Sequence, residues 1–535
     1  MLFKLLGIAL SQPHTDDSPT HMSPSTLALL LILLGTLCSF IYISRPKQLK
    51  NGRKHPPGPR PLPVIGNLHL LGKLPHLNLH HLAKRYGPIM LLRLGYVPTI
   101  VVSSPQAAEL FLKTHDVVFA SRPKVQASEY LSYGGKGMGF TEYGSYWRTV
   151  RKWCTLHLLS GSKVEYFAPL RKAELGSMVE TVKKAAAAGE TVDISRKVGE
   201  LIEDIMYKMI FGRPSNSEDD NINLKLLIKE ISRLAGAFNL SDFVPCLAPL
   251  DLQGLAQKQK RISKILDKFL EKIIDEHEQA VGSNPEEQKP HRNFVHVMVS
   301  LLNKPMNPHD EEQEYIIDRT NIKAIMLEMI AAGLDSSAAA IEWALSELLK
   351  HPRVMFSLQQ ELETVVGRSR MIEESDLPQL TYLDMVVKES LRLHPVGPLL
   401  IPHESMEDIT IDGYFIPKKS RIIVNAWSMG RDPDVWSNNA EEFFPERFID
   451  SNIDLRGQDF QLIPFGSGRR GCPGMQLGLI TIRLVLAQFV HCFDWELPDG
   501  MLPVELDMSE NFGLSMSRAN PLLVKATYRL LDNRM

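Results

Sequence analysis

One ten-residue stretch near the C-terminus, residues 465–474 (FGSGRRGCPG), restricts the fold more than any other part of this sequence. Three glycines precede its cysteine and a fourth follows two positions later, so the backbone can adopt unusual dihedral angles and approach a flat ligand closely. Pro473 suits the first position of a helix, and the largely apolar run 475–490 has the periodicity of a buried helix. We therefore expect a loop that presents Cys472 at the N-terminus of a buried helix.

Cys472 is the candidate metal ligand of this loop. Unpaired N–H groups and the helix dipole at a helix N-terminus favour a thiolate. A thiolate in a buried pocket requires a cation, and haem iron is the natural candidate. Arg470 can then pair with a haem propionate through its planar guanidinium. The alternative is a glycine-rich turn around a packed, inert cysteine, which is what a lone cysteine in a loop usually is.

Length and composition limit the classes of protein to which the chain can belong. The chain has 535 residues, and no repeat or low-complexity linker divides residues 60 to 535, so we expect one large catalytic domain behind an N-terminal segment. A net charge of −2 provides no basic field for nucleic acid, which we exclude as a partner. Five widely spaced cysteines indicate neither a disulfide framework nor a zinc site, which places the domain in a reducing compartment.

The N-terminal part predicts a membrane anchor. Residues Leu27 to Ile43 are almost continuously apolar and, with their flanks, are long enough for one membrane-spanning helix. A cluster of basic residues follows, so the positive-inside rule puts the rest of the chain in the cytosol. We predict a lumenal segment (1–24), a transmembrane anchor (25–44), a basic, proline-rich hinge (45–63) and a catalytic domain (64–535). A cleaved signal peptide is the alternative, but the apolar run begins late and lacks a small-residue cleavage site.

The catalytic domain is predicted to be mainly α-helical with small β-sheets. Most of the chain up to residue 395 reads as helices separated by proline and glycine. Short strand-like runs occur near its beginning and again after residue 396. The predicted strands are Ile89 to Leu94, Thr99 to Val102, Ile409 to Ile411, Tyr414 to Ile416 and Arg421 to Asn425.

One predicted helix is exceptionally long. Residues Asp318 to Leu349 contain no proline, and the helix ends at His351-Pro352. Near its middle, Gly333 lets a ligand press against the backbone and invites a local kink. Asp335 and Ser336 follow directly and can relay protons to a molecule bound there. The alternative is that these small residues serve tight helix packing.

Two further pairs have helical spacing. Trp147 and Arg151 lie four residues apart, and Glu389 and Arg392 lie three apart, so the members of each pair can meet on one helix face. As isolated pairs both are more often ordinary surface contacts. The Glu389 pair, however, lies in a mostly apolar stretch, where a buried charge network would be structural.

Together these motifs resemble those of the cytochrome P450 family, in particular its plant A-type microsomal members. The loop matches Phe-x-x-Gly-x-Arg-x-Cys-x-Gly at every fixed position, and the sequence also contains the Glu-x-x-Arg and Trp-x-x-x-Arg elements. Residues 331–337 resemble the Ala-Gly-x-Asp-Thr-Thr groove, with Ser336 where threonine is usual. The Leu-Arg-Leu-His-Pro run at 391–395 resembles the plant members. Because such proteins begin just before the anchor, Met22 is an alternative start.

The resemblance implies the cytochrome P450 fold behind a single transmembrane helix, and it implies roles for individual residues. Haem b is the implied cofactor, with Cys472 as axial iron ligand. The other implied cofactor contacts are Phe465, Arg470, Gly474, Trp147, Arg151 and His403. Arg447 is the implied third member of the Glu389–Arg392 ion network, and Gly333, Asp335 and Ser336 are implied in oxygen activation. The implied substrate-pocket residues are Ala331, Val396, Leu399, Leu400 and Phe512.

The same resemblance implies a monooxygenase of the endoplasmic reticulum membrane. It would use O2 and two electrons from NADPH, delivered by a separate reductase, and the sequence itself has no dinucleotide-binding glycine motif after a strand. The apolar pocket residues suggest a small apolar plant metabolite, such as a sesquiterpenoid or a phenolic. A reductase-independent isomerase or dehydratase is one alternative, which the Asp335–Ser336 pair disfavours. A non-catalytic haem sensor is the other, which the anchor beside a complete groove pattern disfavours.

Overall fold

The computed structural model describes residues 53–214, 224–283, 293–308 and 313–531, together with Gly35. The chain divides into two units, 1–53 and 54–535, and only the second is treated below. The predicted lumenal segment and the predicted anchor, apart from Gly35, lie outside the described residues, as does most of the basic part of the hinge.

Helices dominate the second unit, as the sequence predicts. Several begin with proline in the first turn, where its missing N–H costs nothing. The described α-helices are α1 (Pro75–Tyr86), α2 (Pro105–Glu109), α3 (Gln126–Leu131), α4 (Ser145–His157), α5 (Gly161–Tyr166), α6 (Ala168–Ala187), α7 (Ile194–Phe211), α8 (Leu224–Ala235), α9 (Leu255–Ser283), α10 (Phe294–Ser300), α11 (Arg319–Lys350), α12 (Pro352–Val365), α13 (Thr381–Leu393), α14 (Ala426–Met429), α15 (Pro433–Trp436) and α16 (Met475–Cys492).

The strands form small sheets at the edges of the helical core. One sheet has the order β1-β2-β7-β4, another has the order β3-β11-β8, and β5–β6 and β9–β10 are hairpins. The strands are β1 (Ile89–Leu94), β2 (Val97–Val102), β3 (Thr191–Asp193), β4 (His403–Glu404), β5 (Ile409–Ile411), β6 (Tyr414–Ile416), β7 (Arg421–Val424), β8 (Phe493–Glu496), β9 (Glu510–Asn511), β10 (Ser517–Arg518) and β11 (Leu523–Tyr528).

The strand predictions are confirmed for β1, β5 and β6 to the residue, and for β7 to within one residue. The prediction for β2 was wrong at its start, because the strand contains Pro98 and begins at Val97. Proline is tolerated there because it lies near the beginning of the strand, opposite Arg93.

The long helix α11 crosses the centre of the domain. It begins with a capping box, in which the Asp318 side chain accepts from the Asn321 backbone N–H and the Asn321 side chain accepts from the Asp318 N–H. It runs without interruption to Lys350, one residue beyond the prediction, and packs against α7, α13 and α16. Helices α11 and α16 are each long and apolar enough to cross a membrane. However, 50% of the most apolar 18-residue stretch of α11 and 61% of that of α16 are buried inside the protein, as is typical of core helices.

Candidate active site

The cysteine loop has a backbone that only glycine adopts easily. Gly466 and Gly468 have φ angles of 70° and 64°, in the left-handed region. A side chain at Gly468 would collide with the carbonyl oxygen of Leu112. The loop closes on itself because the Cys472 N–H donates to the Phe465 carbonyl at 2.8 Å. The local sequence therefore fixes the shape of the loop around the cysteine.

The relation of Cys472 to the following helix differs from the prediction. Helix α16 begins at Met475 with Gly474 as its N-cap, so Pro473 precedes the cap and is not the first helical residue. Burial raises the pKa of the Cys472 thiol, and the opposing effects of the Gly474 N–H and the Arg151 charge do not compensate. The Gly474 N–H lowers this pKa, as expected of a helix terminus, but burial has the larger effect. A bound cation would favour the thiolate.

The Cys472 thiol lies in the interior of the protein, yet it is accessible to solvent. The same holds for the middle of α11, where residues 331–338 are partly or fully exposed although both flanking stretches of this helix are buried. The first turns of α16, 475–480, are also partly exposed before the helix becomes buried. Helices α11 and α16 pack against each other, and each combines an accessible stretch with a buried one.

Three arginines lie together at one side of this loop. Arg470 is 8% exposed, stacks on the Trp147 ring at 4.0 Å, and donates to the carbonyl oxygens of Ala120 and Thr141 at 2.6 Å. Arg122 donates to the carbonyls of Ile401, Pro402 and Gly139, and Arg151 donates to the Gly471 carbonyl at 2.6 Å. Within the described part of the chain, no carboxylate forms an ion pair with these three arginines.

The three guanidinium groups perturb one another. Burial lowers the pKa of Arg470 to about 9, with a further contribution from the Arg151 charge. Burial lowers the pKa of Arg122 well below its usual range, and the charges of Arg470 and Arg151 add to this effect. Buried cations whose hydrogen-bond acceptors are neutral carbonyls lack negative groups that directly compensate their charge. Two carboxylates such as the propionates of haem would compensate them, so the residues present fit haem: a thiol for the iron and arginines for the propionates.

The remaining predicted cofactor residues contact the protein. The Trp147 indole N–H donates to the Met138 carbonyl at 3.0 Å, so its ring supports Arg470 by stacking. A ring nitrogen of His403, Nδ1, lies 2.8 Å from the Phe119 carbonyl. Burial and the Arg122 charge hold the pKa of His403 well below its usual range, so its ring is neutral.

Arg122 is the residue that the sequence reading missed. It stands alone between Ser121 and Pro123 and belongs to no periodic pattern. The available signal was a basic residue two positions after the apolar pair Phe119-Ala120.

The centre of α11 presents small and polar residues. The Ser336 hydroxyl donates to the Ala332 carbonyl one turn earlier, at 2.6 Å. At Gly333 the end of the Met206 side chain of α7 occupies the space that a Cβ would fill. That contact is the helix-packing alternative. Asp335, by contrast, is exposed at the centre of this helix.

Glu389, Arg392 and Arg447 come together in a buried network. Glu389 is 0% exposed and receives both Arg392 Nε and a terminal Arg392 nitrogen, at 2.7 and 2.8 Å. Arg447 Nε and the Phe444 backbone N–H donate to the same carboxylate, each at 2.8 Å. Arg392 also donates to backbone carbonyls, so one carboxylate is shared by two arginines and the remaining Arg392 N–H groups have backbone acceptors.

The predicted pocket residues are partly exposed and mostly apolar. Ala331 lies at the accessible centre of α11, and Val396, Leu399 and Leu400 lie in the loop that follows α13. Phe512 lies in the β9–β10 turn, where its ring stacks on that of His76.

The sequence pattern of the family described as Cytochrome P450 matches residues 56–523. The chain therefore belongs to the cytochrome P450 family, whose cofactor is a haem with a cysteine thiolate ligand. A Panax ginseng relative described as Cytochrome P450 CYP736A12 is 59% identical over 95% of this chain and 100% of its own. The Flavonoid 3'-monooxygenase of Arabidopsis thaliana is 41% identical over 94% of this chain and 98% of its own. A zebrafish cytochrome P450 structure with abiraterone has a TM-score of 0.70 at 26% identity, and the match covers 85% of this chain and 100% of the zebrafish chain.

Proposed function

We propose that this cytochrome P450 hydroxylates, or otherwise oxidises, a small apolar plant metabolite such as a sesquiterpenoid or a phenolic. The observation that carries the proposal is that Cys472 and the centre of α11 are both accessible although the flanking parts of α11 are buried, from which we infer a ligand space between them. Ala331, Val396 and Leu399 would offer a ligand apolar contacts there. The flavonoid activity in the name of the Arabidopsis relative supports a phenolic substrate class.

The bound haem supplies the activation of dioxygen by two electrons and the transfer of one oxygen atom to the substrate. Cys472 would hold its iron, and Arg470, Arg151 and Arg122 would pair with its propionates. The apolar residues exclude water and orient the substrate by contact. Asp335 and the Ser336 Oγ hold and pass protons at the centre of α11.

The electrons are proposed to come from NADPH through a membrane-bound reductase, with residues 25–44 as the anchor in the endoplasmic reticulum membrane. Arg148, Lys152 and Arg469 offer basic groups for reductase docking. Arg151, which lies in the same stretch as Arg148 and Lys152, donates to the Gly471 carbonyl beside Cys472 and is assigned to the haem.

Replacing Ser336 with threonine is expected to raise the product formed per NADPH consumed. The serine hydroxyl, which donates to the Ala332 carbonyl, has no methyl group that restricts χ1, whereas the threonine methyl restricts χ1 and holds the hydroxyl in place. The measurement is the ratio of product to NADPH oxidised in the two proteins. Ser337→Thr, one residue further on the same helix, is the matched control, and an equal ratio in all three proteins would contradict the assigned role.

The proposed function is tested in yeast microsomes that contain this protein and a plant reductase. A panel of sesquiterpenes and phenolics is supplied with and without NADPH. We expect one class to yield a product that is one oxygen atom heavier and that requires NADPH. Conversion without NADPH would indicate the isomerase or dehydratase, and ligand binding without any turnover would indicate the haem sensor.

A further inference from the structure

The β9–β10 hairpin is too short to fix its own position. Its strands pair only through Asn511 with Ser517 and Glu510 with Arg518. An isolated two-stranded hairpin is marginally stable at best. The turn between the strands carries Phe512, one of the predicted pocket residues, so contacts outside the hairpin determine the position of this part of the pocket wall.

One side of the hairpin is attached to the centre of the domain. The Met516 N–H donates to the Val396 carbonyl at 2.8 Å, in the loop that follows α13. The indole N–H of Trp343, on α11, donates to the Met516 carbonyl at 3.0 Å. These bonds fix the C-terminal side of the turn and leave the N-terminal side, at Glu510, to be fixed separately.

Glu510 is held by two ring N–H groups from distant parts of the chain. His76 Nε2, on α1, lies 2.7 Å from one carboxylate oxygen of Glu510, and Trp427 Nε1, on α14, donates to the other at 3.2 Å. The His76 side chain is 0% exposed. The Phe512 ring stacks on the same imidazole with centroids 5.7 Å apart and planes inclined by 22°. His76 therefore contacts both the Glu510 carboxylate and the Phe512 ring of the hairpin.

The charges around this contact favour the ionised carboxylate. Burial raises the pKa of Glu510, but the His76 hydrogen bond and the nearby charges, including that of Arg431, prevail and hold it below its usual value. The Arg431 guanidinium also lies 3.9 Å from the centroid of the Trp427 ring and keeps that ring in place. Burying the Glu510 carboxylate without hydrogen-bond donors would cost free energy. The His76 and Trp427 rings supply two donors, so they hold this carboxylate at one defined place.

We propose that His76, Glu510 and Trp427 form a buried latch that sets the position of Phe512, and through it the size and shape of ligand that the pocket accepts. The latch rests on the proposed function, because that function provides the substrate site at whose edge His76, Glu510 and Trp427 act as positioning residues. They touch neither Cys472 nor the arginine cluster, so the latch changes ligand selection and leaves the haem side of the site intact.

The test compares two azole probes in microsomes that contain the full-length protein. Imidazole is small, whereas a biphenylyl imidazole extends from the iron toward the pocket wall. Both are followed by spectral titration in the wild type, Glu510→Gln, Trp427→Phe and the control Glu496→Gln, which alters an exposed acid on β8. In Glu510→Gln we expect the Kd of the large probe to change about tenfold and that of imidazole to stay within about twofold, since one charged hydrogen-bond acceptor is lost. In Trp427→Phe the Kd of the large probe should change in the same direction as in Glu510→Gln but by a smaller factor. The reason is that the Trp427–Glu510 hydrogen bond, at 3.2 Å, is longer than the His76–Glu510 contact at 2.7 Å.

The decisive quantity is the Kd of the large probe divided by the Kd of imidazole. If this ratio is the same in Glu510→Gln and the wild type, and both proteins have a normal reduced carbon-monoxide band, the latch is overturned. If Glu510→Gln loses the band, Trp427→Phe decides: a changed ratio of the two Kd values supports the latch, and an unchanged ratio overturns it. Absence of a thiolate-type band and of azole shifts in the wild type would instead contradict the proposed function, so the two failures are distinguishable.

Discussion

Cys472→Ser is expected to eliminate the thiolate-type band of the reduced carbon-monoxide spectrum and to lower product formation by at least about 1000-fold. A serine hydroxyl does not ionise at neutral pH and donates far less electron density to iron than a thiolate does. The fold should survive, because the loop depends on glycine dihedral angles and on the backbone bond from Cys472 N–H to the Phe465 carbonyl, which serine preserves.

Cys246→Ser is the matched control, because Cys246 is an exposed cysteine in a short helical segment outside the site. It should keep the full band and full turnover. A thiolate-type band that persists in Cys472→Ser would show that another cysteine ligates the iron and would contradict the assignment. The buried Cys154 and Cys492 would then be the candidates to replace next.

The cysteine loop was predictable because its constraints are local. The glycines, Cys472 and Arg470 follow from ten consecutive residues, and the Glu389–Arg392 pair follows from helical spacing. The partners of Arg470 were not predictable, because they are backbone carbonyls of Ala120 and Thr141, more than 300 residues away in the chain. Any residue type provides a backbone carbonyl, so the sequence contains no signal for such an acceptor.

Contacts between distant segments determine the features that the sequence could not predict. The pKa of the Cys472 thiol is raised by burial among residues packed around the loop in three dimensions, although the Gly474 N–H lowers it as the helix-terminus argument expects. The packing of Met206 against Gly333 was not predictable, because Met206 lies on a different helix. Arg122 was missed for the same reason: its three carbonyl partners come from two separate segments that meet only in the folded protein.

Glu389→Ala is expected to destabilise the folded protein by about 3–5 kcal/mol, because it leaves buried guanidinium groups without their counter-charge. The carboxylate is fully buried and is the common acceptor for Arg392, Arg447 and the Phe444 N–H. Since this network joins α13 to the segment 439–447, its loss should lower the midpoint of thermal unfolding and leave little haem-loaded protein. The measurements are that midpoint and the carbon-monoxide band per milligram of purified protein.

The chain offers a control with the same spacing and chemistry in an exposed setting. Glu230 and Arg233 on α8 also lie three residues apart and form a two-pronged ion pair, but both side chains are substantially exposed to solvent. Glu230→Ala should cost no more than about 1 kcal/mol, because water screens and replaces the pair. If Glu389→Ala and Glu230→Ala have the same haem loading and the same thermal midpoint, burial does not give the Glu389 network its structural role. A large difference between the two variants would assign the effect to burial together with the further donors of Glu389, Arg447 and the Phe444 N–H, because the spacing and residue types of the Glu–Arg pair are the same.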